Sequence, residues 1–259
     1  MQLDLTGKHA LVGGGSKGIG LATAQALAQL GADVTLLARD PEALKRAEAS
    51  LPIKPGQRHG FIAADMGDLP TLGAKVAALI NQRAIQILIN NSGGPPSGSA
   101  HEAHGQDYLN AFTQHLLANQ TLVQLCFAGM RDAGFGRIVN VISTSVKEPI
   151  RGLGVSNTIR GAVANWAKTL ATELGPFAIT VNNVLPGYTR TDRLDAIIDA
   201  RAAKQPRAEV ERAMLASVPL GRFAEASETA AAIAFLCTPA AGYINGVNLP
   251  VDGGRTLSL

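Results

Sequence analysis

The residues best suited to chemistry stand early in the chain. Gly13-Gly14-Gly15-Ser16-Lys17-Gly18-Ile19-Gly20 places five glycines in eight positions directly after an apolar run. A tight glycine turn between a strand and a helix lets backbone N–H groups approach a phosphate, and the helix N-terminus favours its negative charge. The spacing of Gly14, Gly18 and Gly20 is G-x-x-x-G-x-G, not the G-x-G-x-x-G of the usual dinucleotide fingerprint. Two other residue types point to no site. His101, His104 and His115 follow the fourth apolar run, but their spacing lacks the rest of a metal set, so they read as solvated loop or helix histidines. Cys126 and Cys237 are too few for a disulfide framework and suit a reducing compartment.

The glycine turn needs a strand before it and a helix after it. His9–Val12 is short, apolar and closed by glycines, and 21–30 has helical spacing that stops at Gly31. The alternation continues with a strand at 33–38, a helix from Pro41 to about Leu51, a strand at 60–64 and a helix at 69–81. A strand at 85–89 leads to a long helix over about 105–133, then a strand at 137–142. The helix at about 157–174 carries Ile159, Val163, Trp166, Leu170 and Leu174 on one face, and strands at 180–184 and 247–249 follow. Strands that are apolar throughout, alternating with helices, predict a doubly wound parallel α/β sheet of about seven strands with helices on both faces. No linker or composition shift divides residues 1–259, so one domain is expected. Only 188–222 breaks the rhythm, and a long excursion after a strand's carboxyl end is a candidate substrate lid.

Composition narrows the classes of function. With 259 residues, 46% apolar and 17% charged, the chain can bury a substantial core and is no disordered tail. Its net charge of +3 comes without Lys/Arg runs or interleaved aromatics, so no nucleic-acid partner is expected. The first residues lack a signal peptide's apolar core, and no apolar stretch is long enough to span a bilayer; a cytoplasmic protein without membrane contact is the expectation.

From the glycine turn onward the chain resembles the short-chain dehydrogenase/reductase family, in particular its 3-oxoacyl-ACP reductase-like members. Asn90-Asn91-Ser92-Gly93 is similar to the family's Asn-Asn-Ala-Gly turn, and Asn119 is matched to the active-site asparagine of its long helix. Ser143 ends a strand where the family has its catalytic serine, Pro186-Gly187 follows the sixth strand, and Val251-Asp252-Gly253-Gly254 closes the pattern. The resemblance implies an NAD(P)-dependent oxidoreductase, working as a homodimer or homotetramer on a small carbonyl or alcohol. It implies a cofactor site of Gly14, Ser16, Lys17, Gly18, Ile19, Gly20, Arg39, Asp65, Met66, Asn91, Ser92, Gly93, Arg160, Pro186, Gly187 and Thr189. Strand two ends in Ala38-Arg39 with no carboxylate for a ribose 2′-hydroxyl, and Lys17 and Arg39 suit a 2′-phosphate, so NADP is expected over NAD. Asp40, one residue on, reads as the cap before Pro41, and Asp65 is similar to the residue that meets the adenine amino group.

The catalytic pattern departs from the family. Thirteen residues after Ser143, where the resemblance implies a tyrosine, stands Ser156; four further on, in place of lysine, stands Arg160. Arg160 keeps a cation for ribose hydroxyls but is a poor proton relay, because guanidinium stays protonated. An alkyl hydroxyl is a far weaker acid than a phenol of pKa ~10, a loss on the order of 10²–10⁴ in rate by this route. Ser156 with water, Tyr188 and, less so, Lys147 are the substitute donors. The rival expectation is a nucleotide-binding pseudoenzyme or redox-responsive partner protein.

Overall fold

In the computed structural model, which describes residues 1–203 and 205–258, the apolar runs become one seven-stranded sheet. The strands are β1 (His9–Gly13), β2 (Asp33–Ala38), β3 (Gly60–Ala63), β4 (Ile87–Asn90), β5 (Gly136–Val141), β6 (Ile179–Pro186) and β7 (Asn248–Val251). Every pairing is parallel and the order is β3-β2-β1-β4-β5-β6-β7. The order reverses at β1, whose neighbours are β2 and β4. A crevice therefore opens beyond the carboxyl ends of β1 and β4, where this architecture binds ligands.

Apolar side chains on both faces of the strands require a helical layer on each. One layer holds α1 (Gly18–Gln29), α2 (Pro41–Ala49) and α9 (Ala226–Leu236), which bury Leu27, Leu44 and Ile233 against Val12, Leu36 and Val184. The other holds α3 (Leu69–Gln82), α5 (Ala118–Asp132) and α6 (Gly154–Leu174), with Val76, Leu122 and Ala167 against Leu11, Leu88 and Val181. Asp40 caps α2, accepting from the amides of Glu42 and Ala43 at 2.9 and 3.1 Å. α4 (Gly105–Phe112) runs into α5 through a π-helical turn, and α7 (Asp192–Ala202) and α8 (Arg207–Leu215) lie within 188–222.

Several boundaries differ from the sequence reading, α1 among them, which begins at Gly18 rather than 21; two others lie in the layer of α4 to α6. The helix expected over 105–133 is interrupted by the π-turn Thr113–Leu117, where backbone bonds reach one residue further than in an α-helix. α6 starts at Gly154, three residues early. Its first turn is fixed by a crossing strand segment, with Gly154 N–H donating to the Gly98 carbonyl at 2.9 Å and Gly98 N–H to the Gly152 carbonyl at 2.8 Å. A Cβ at Gly154 would stand 2.4 Å from the Ala100 backbone, so only glycine allows this approach.

Asparagines pair in register across four strands, from the last residue of β4 to the first of β7. Asn90 donates to Asn140 at 2.8 Å, Asn140 to Asn183 at 2.9 Å, and Asn183 to Asn248 at 2.8 Å. A buried amide left unpaired is costly, so the ladder resists slippage of these strands.

At the opposite end of the sheet His9 is 2% exposed. Its Nε2 lies 2.8 Å from the Thr35 hydroxyl and its Nδ1 3.2 Å from the Ala84 carbonyl. Burial, and then the charge of Arg83, lower its pKa to about 4. Unfolded histidine titrates near ~6.5, so the unfolded chain takes up the extra proton first as pH falls. Stability is full above pH ~6.5 and declines toward pH ~4, by on the order of 3 kcal/mol from this group. Urea midpoints at about pH 7.5 and about pH 4.5 should show the decline, and His9→Gln should shrink the difference between them.

Candidate active site

The glycine turn is shaped by contact. A Cβ at Gly13 would stand 2.6 Å from the Asn91 carbonyl oxygen, one at Gly14 2.5 Å from Asn91 Nδ2, and one at Gly20 2.1 Å from the Gly14 carbonyl oxygen. Gly14 and Gly18 both have φ of +57°, a left-handed conformation that favours glycine. Asn91 Nδ2 donates to the Gly13 carbonyl at 3.1 Å, tying the turn after β4 to the turn after β1. Helix α1 begins without a side-chain cap, and Ser16, half-buried, leads into it. The amides of Gly18, Ile19 and Gly20 thus form an N-terminus ready for an oxyanion, and the cradle fits a dinucleotide pyrophosphate.

The cations near this cradle both have carboxylate neighbours. Lys17 Nζ pairs with Asp192, the first residue of α7, at 2.6 Å, and Arg39 lies 3.9 Å from Asp65. Asp65 also accepts from the Gly67 amide at 2.8 Å, and Met66 is buried behind it. Thr189 is buried and 3.5 Å from the Thr229 hydroxyl. The side chain against the phosphate turn is Thr191, whose Cγ2 lies 3.2 Å from where a Gly18 Cβ would be. Thr191 caps α7, and local sequence pattern does not point to it because its place depends on how the segment 188–222 packs. Gly187, after Pro186, meets Asp252 so closely that a Cβ would come within 2.6 Å of its Cα.

At the other half of the crevice, Ser143 ends β5 and begins a short 3₁₀ turn. Its Oγ accepts from the Ser145 amide at 3.0 Å, which leaves its O–H free to donate. Ser156 and Arg160 lie one turn apart on α6, 9% and 8% exposed. Arg160 Nη1 donates to the Val141 carbonyl at 3.3 Å, two residues before Ser143.

His115 is not solvated. It is 1% exposed inside the π-turn, and its Nδ1 lies 2.8 Å from the Ser92 hydroxyl, beside exposed Gly93. Burial and then the charge of Arg160 lower its pKa to about 3. Asn119, one turn further on, is buried in the first turn of α5. No sequence signal marks His115, because 3.6-residue periodicity cannot place a side chain that sits within a π-turn.

Tyr188 packs edge-on against Phe223, with ring centres 6.1 Å apart, beneath the Arg255 guanidinium at 4.8 Å. With Val210, Met214, Ser217 and Arg255 it lines a cavity of about 260 Å³ against α7 and α8. Among the described residues, no cluster of three His, Cys, Asp or Glu could hold a metal, and no helix is long and apolar enough to cross a membrane.

A doubly wound parallel sheet with a glycine cradle at its switch point defines a dinucleotide-binding α/β fold. Comparison with known proteins narrows the class. The family described as Enoyl-(Acyl carrier protein) reductase matches residues 14–256. Gluconate 5-dehydrogenase of Gluconobacter oxydans (strain 621H) is 31% identical over 257 residues, 99% of this chain and 97% of that protein. NADPH-dependent reductase BacG of Bacillus subtilis (strain 168) is 28% identical, over 97% of this chain and 99% of its own. The crystal structure of L-sorbose reductase from Gluconobacter frateurii, complexed with NADPH and L-sorbose, superposes with a TM-score of 0.93 at 29% identity, covering 100% of both chains. The chain belongs to the short-chain dehydrogenase/reductase family.

Proposed function

We propose that this protein is an NADP(H)-dependent oxidoreductase that interconverts a carbonyl and an alcohol on a small molecule, with a proton donor other than the family's tyrosine. The observation that carries this reading is the intact glycine cradle, shared across one crevice with Ser143 at the end of β5. Relatives named as NADPH-dependent support the cofactor. When bound, the cofactor supplies or accepts a hydride. Gly14, Gly18, Ile19 and Gly20 would hold its pyrophosphate, Asn91 and Ser92 the wall beside it, and Lys17 and Arg39 its 2′-phosphate. Ser143 directs its O–H at the carbonyl oxygen, and Arg160 offers N–H groups to ribose hydroxyls. Ser156, with a water in the space an aromatic ring would fill, passes the proton; Tyr188 is the second candidate donor. Sugars, ketones and 3-oxoacyl thioesters are the substrate classes to try first.

NADPH oxidation across a carbonyl panel tests this reading, with Ser143→Ala as control. Turnover should fall about 10²-fold in the variant with NADPH affinity retained, as expected when a transition-state hydrogen bond is removed. No turnover on any carbonyl, together with tight NADPH binding, overturns it. That outcome favours the second reading, a nucleotide-binding pseudoenzyme or redox-responsive partner protein, which Ser156 and Arg160 motivate. Assembly as a homodimer or homotetramer through α4, α5 and α6 is also proposed; Leu109 and Phe112, 61% and 38% exposed, support it on α4.

The Lys17–Asp192 pair makes a separate prediction. A 2′-phosphate must draw Lys17 away from Asp192, both of which are largely exposed. Asp192→Asn should therefore tighten NADPH binding by up to about fivefold at low salt, the range of an exposed ion pair, and leave NADH binding unchanged. Fluorescence titration of both cofactors reads the difference.

A further inference from the structure

Beneath the end of β5 the structure buries hydrogen-bond donors that no acceptor among the described residues takes up. Arg160 is 8% exposed, and its guanidinium has five N–H groups of which one is bonded, to Val141. Among the described residues no carboxylate pairs with it. Burial, and then the charge of a second cation, Arg193 of α7, lower its pKa to about 10. Arg193 itself donates to the Pro95 carbonyl at 2.9 Å. His115 completes the set: its Nε2 is buried and has no partner among the described residues. Burial, and then the charge of Arg160, lower its pKa to about 3, so the imidazole is neutral at working pH. If the Ser92 hydroxyl donates to Nδ1, the proton sits on Nε2 and a buried N–H is left without an acceptor.

A buried cation without a counter-charge, next to an orphaned N–H, is an expensive arrangement unless a ligand completes it. Neutral ribose hydroxyls could take up N–H groups of Arg160 but bring no charge. The cofactor's phosphates belong to the glycine turn after β1, whereas Arg160 is anchored beneath the end of β5, where the substrate carbonyl is expected. A planar guanidinium accepts a carboxylate through two parallel hydrogen bonds.

We propose that Arg160, with His115 Nε2, binds a carboxylate carried by the substrate next to its reacting carbon, so that the enzyme acts on oxo acids and hydroxy acids. The proposal rests on the oxidoreductase reading only for the presence of the carbonyl. Anion recognition is a property of the side chains themselves and is read by binding alone.

The test is titration calorimetry of 2-oxobutanoate and its methyl ester into the full chain saturated with NADP⁺, where the oxidised cofactor has no hydride to give. The acid should bind at least about tenfold more tightly than the ester, the value of one charge-assisted hydrogen bond. Arg160→Met should bring the two within about twofold, Arg160→Lys should keep part of the preference, and His115→Phe should weaken acid binding several-fold. NADP⁺ affinity is measured for each variant, so that a ribose role is read separately. Equal wild-type affinities, no detectable binding of the acid, or a preference that survives Arg160→Met overturns the proposal. A preference for the acid leaves carboxylate recognition standing whether or not either compound is reduced; the oxidoreductase reading is overturned separately, and only if the whole carbonyl panel is inert.

Discussion

Gly20→Ala should abolish measurable NADPH binding and lower stability. The added methyl would stand 2.1 Å from the Gly14 carbonyl oxygen and 2.9 Å from Asn91 Nδ2. Neither neighbour can move freely: Gly14 is in the left-handed region, and Asn91 is bonded to the Gly13 carbonyl. Relief must open the turn or push α1 away from β1, and either displaces the amides proposed to receive the pyrophosphate. Loss of two or three aligned charged hydrogen bonds corresponds to about 10²-fold or more in affinity. Overpacking in a rigid site costs about 1–3 kcal/mol in stability. Gly161→Ala is the control. That glycine lies within α6, and nothing stands within 4 Å of where its Cβ would be. Alanine there should stabilise by about 0.5–1 kcal/mol through helix propensity and leave cofactor binding intact. Thermal melts with and without NADPH separate the two effects. A Gly20→Ala protein whose melting point still rises with NADPH as the wild type's does would show that the cradle is not the cofactor site.

How much of this was legible in the sequence depended on whether local pattern or long-range packing decides the geometry. Apolar runs of strand length and helical periodicity are local, so the parallel α/β sheet and its seven strands follow from them. The glycine turn is equally local, because its strand and helix flank it directly. Arg39 and Asp65 read as separate site residues along the chain, yet β2 and β3 pair and bring them within 3.9 Å. Lys17 and Asp192 meet only through the packing of α7 against the turn after β1, a contact spanning most of the chain. His115 is the clearest failure of periodicity. A π-turn shifts the helix face by one residue per turn, and the side chain brought to Ser92 was the one expected in solvent.

Ser156→Tyr combined with Arg160→Lys should raise turnover of a neutral ketone by on the order of 10²–10⁴, the usual worth of a positioned general acid. Positions 156 and 160 are one helical turn apart on a buried face of α6, so a phenol and an amine there can act together. Ser143 already offers its free O–H at the end of β5. The pH profile identifies the cause. Reduction needs the phenol protonated, and a neighbouring ammonium lowers its pKa from ~10, so the gained rate should decline as pH rises through that lowered value. The native chain lacks that group and should lack that limb. Arg160→Lys alone supplies no acid and should change neutral-ketone turnover by no more than a few-fold. The double variant should also keep only part of the preference for 2-oxobutanoate over its methyl ester, since an ammonium cannot match the two-point grip of a guanidinium. Gain of turnover together with a weakened acid preference would mean that this site gave up a strong proton donor for recognition of a charged substrate. No gain in the double variant, with NADPH still bound, would mean that the missing phenol does not limit the native rate, and proton delivery would then fall to Tyr188 or to water held by Ser156.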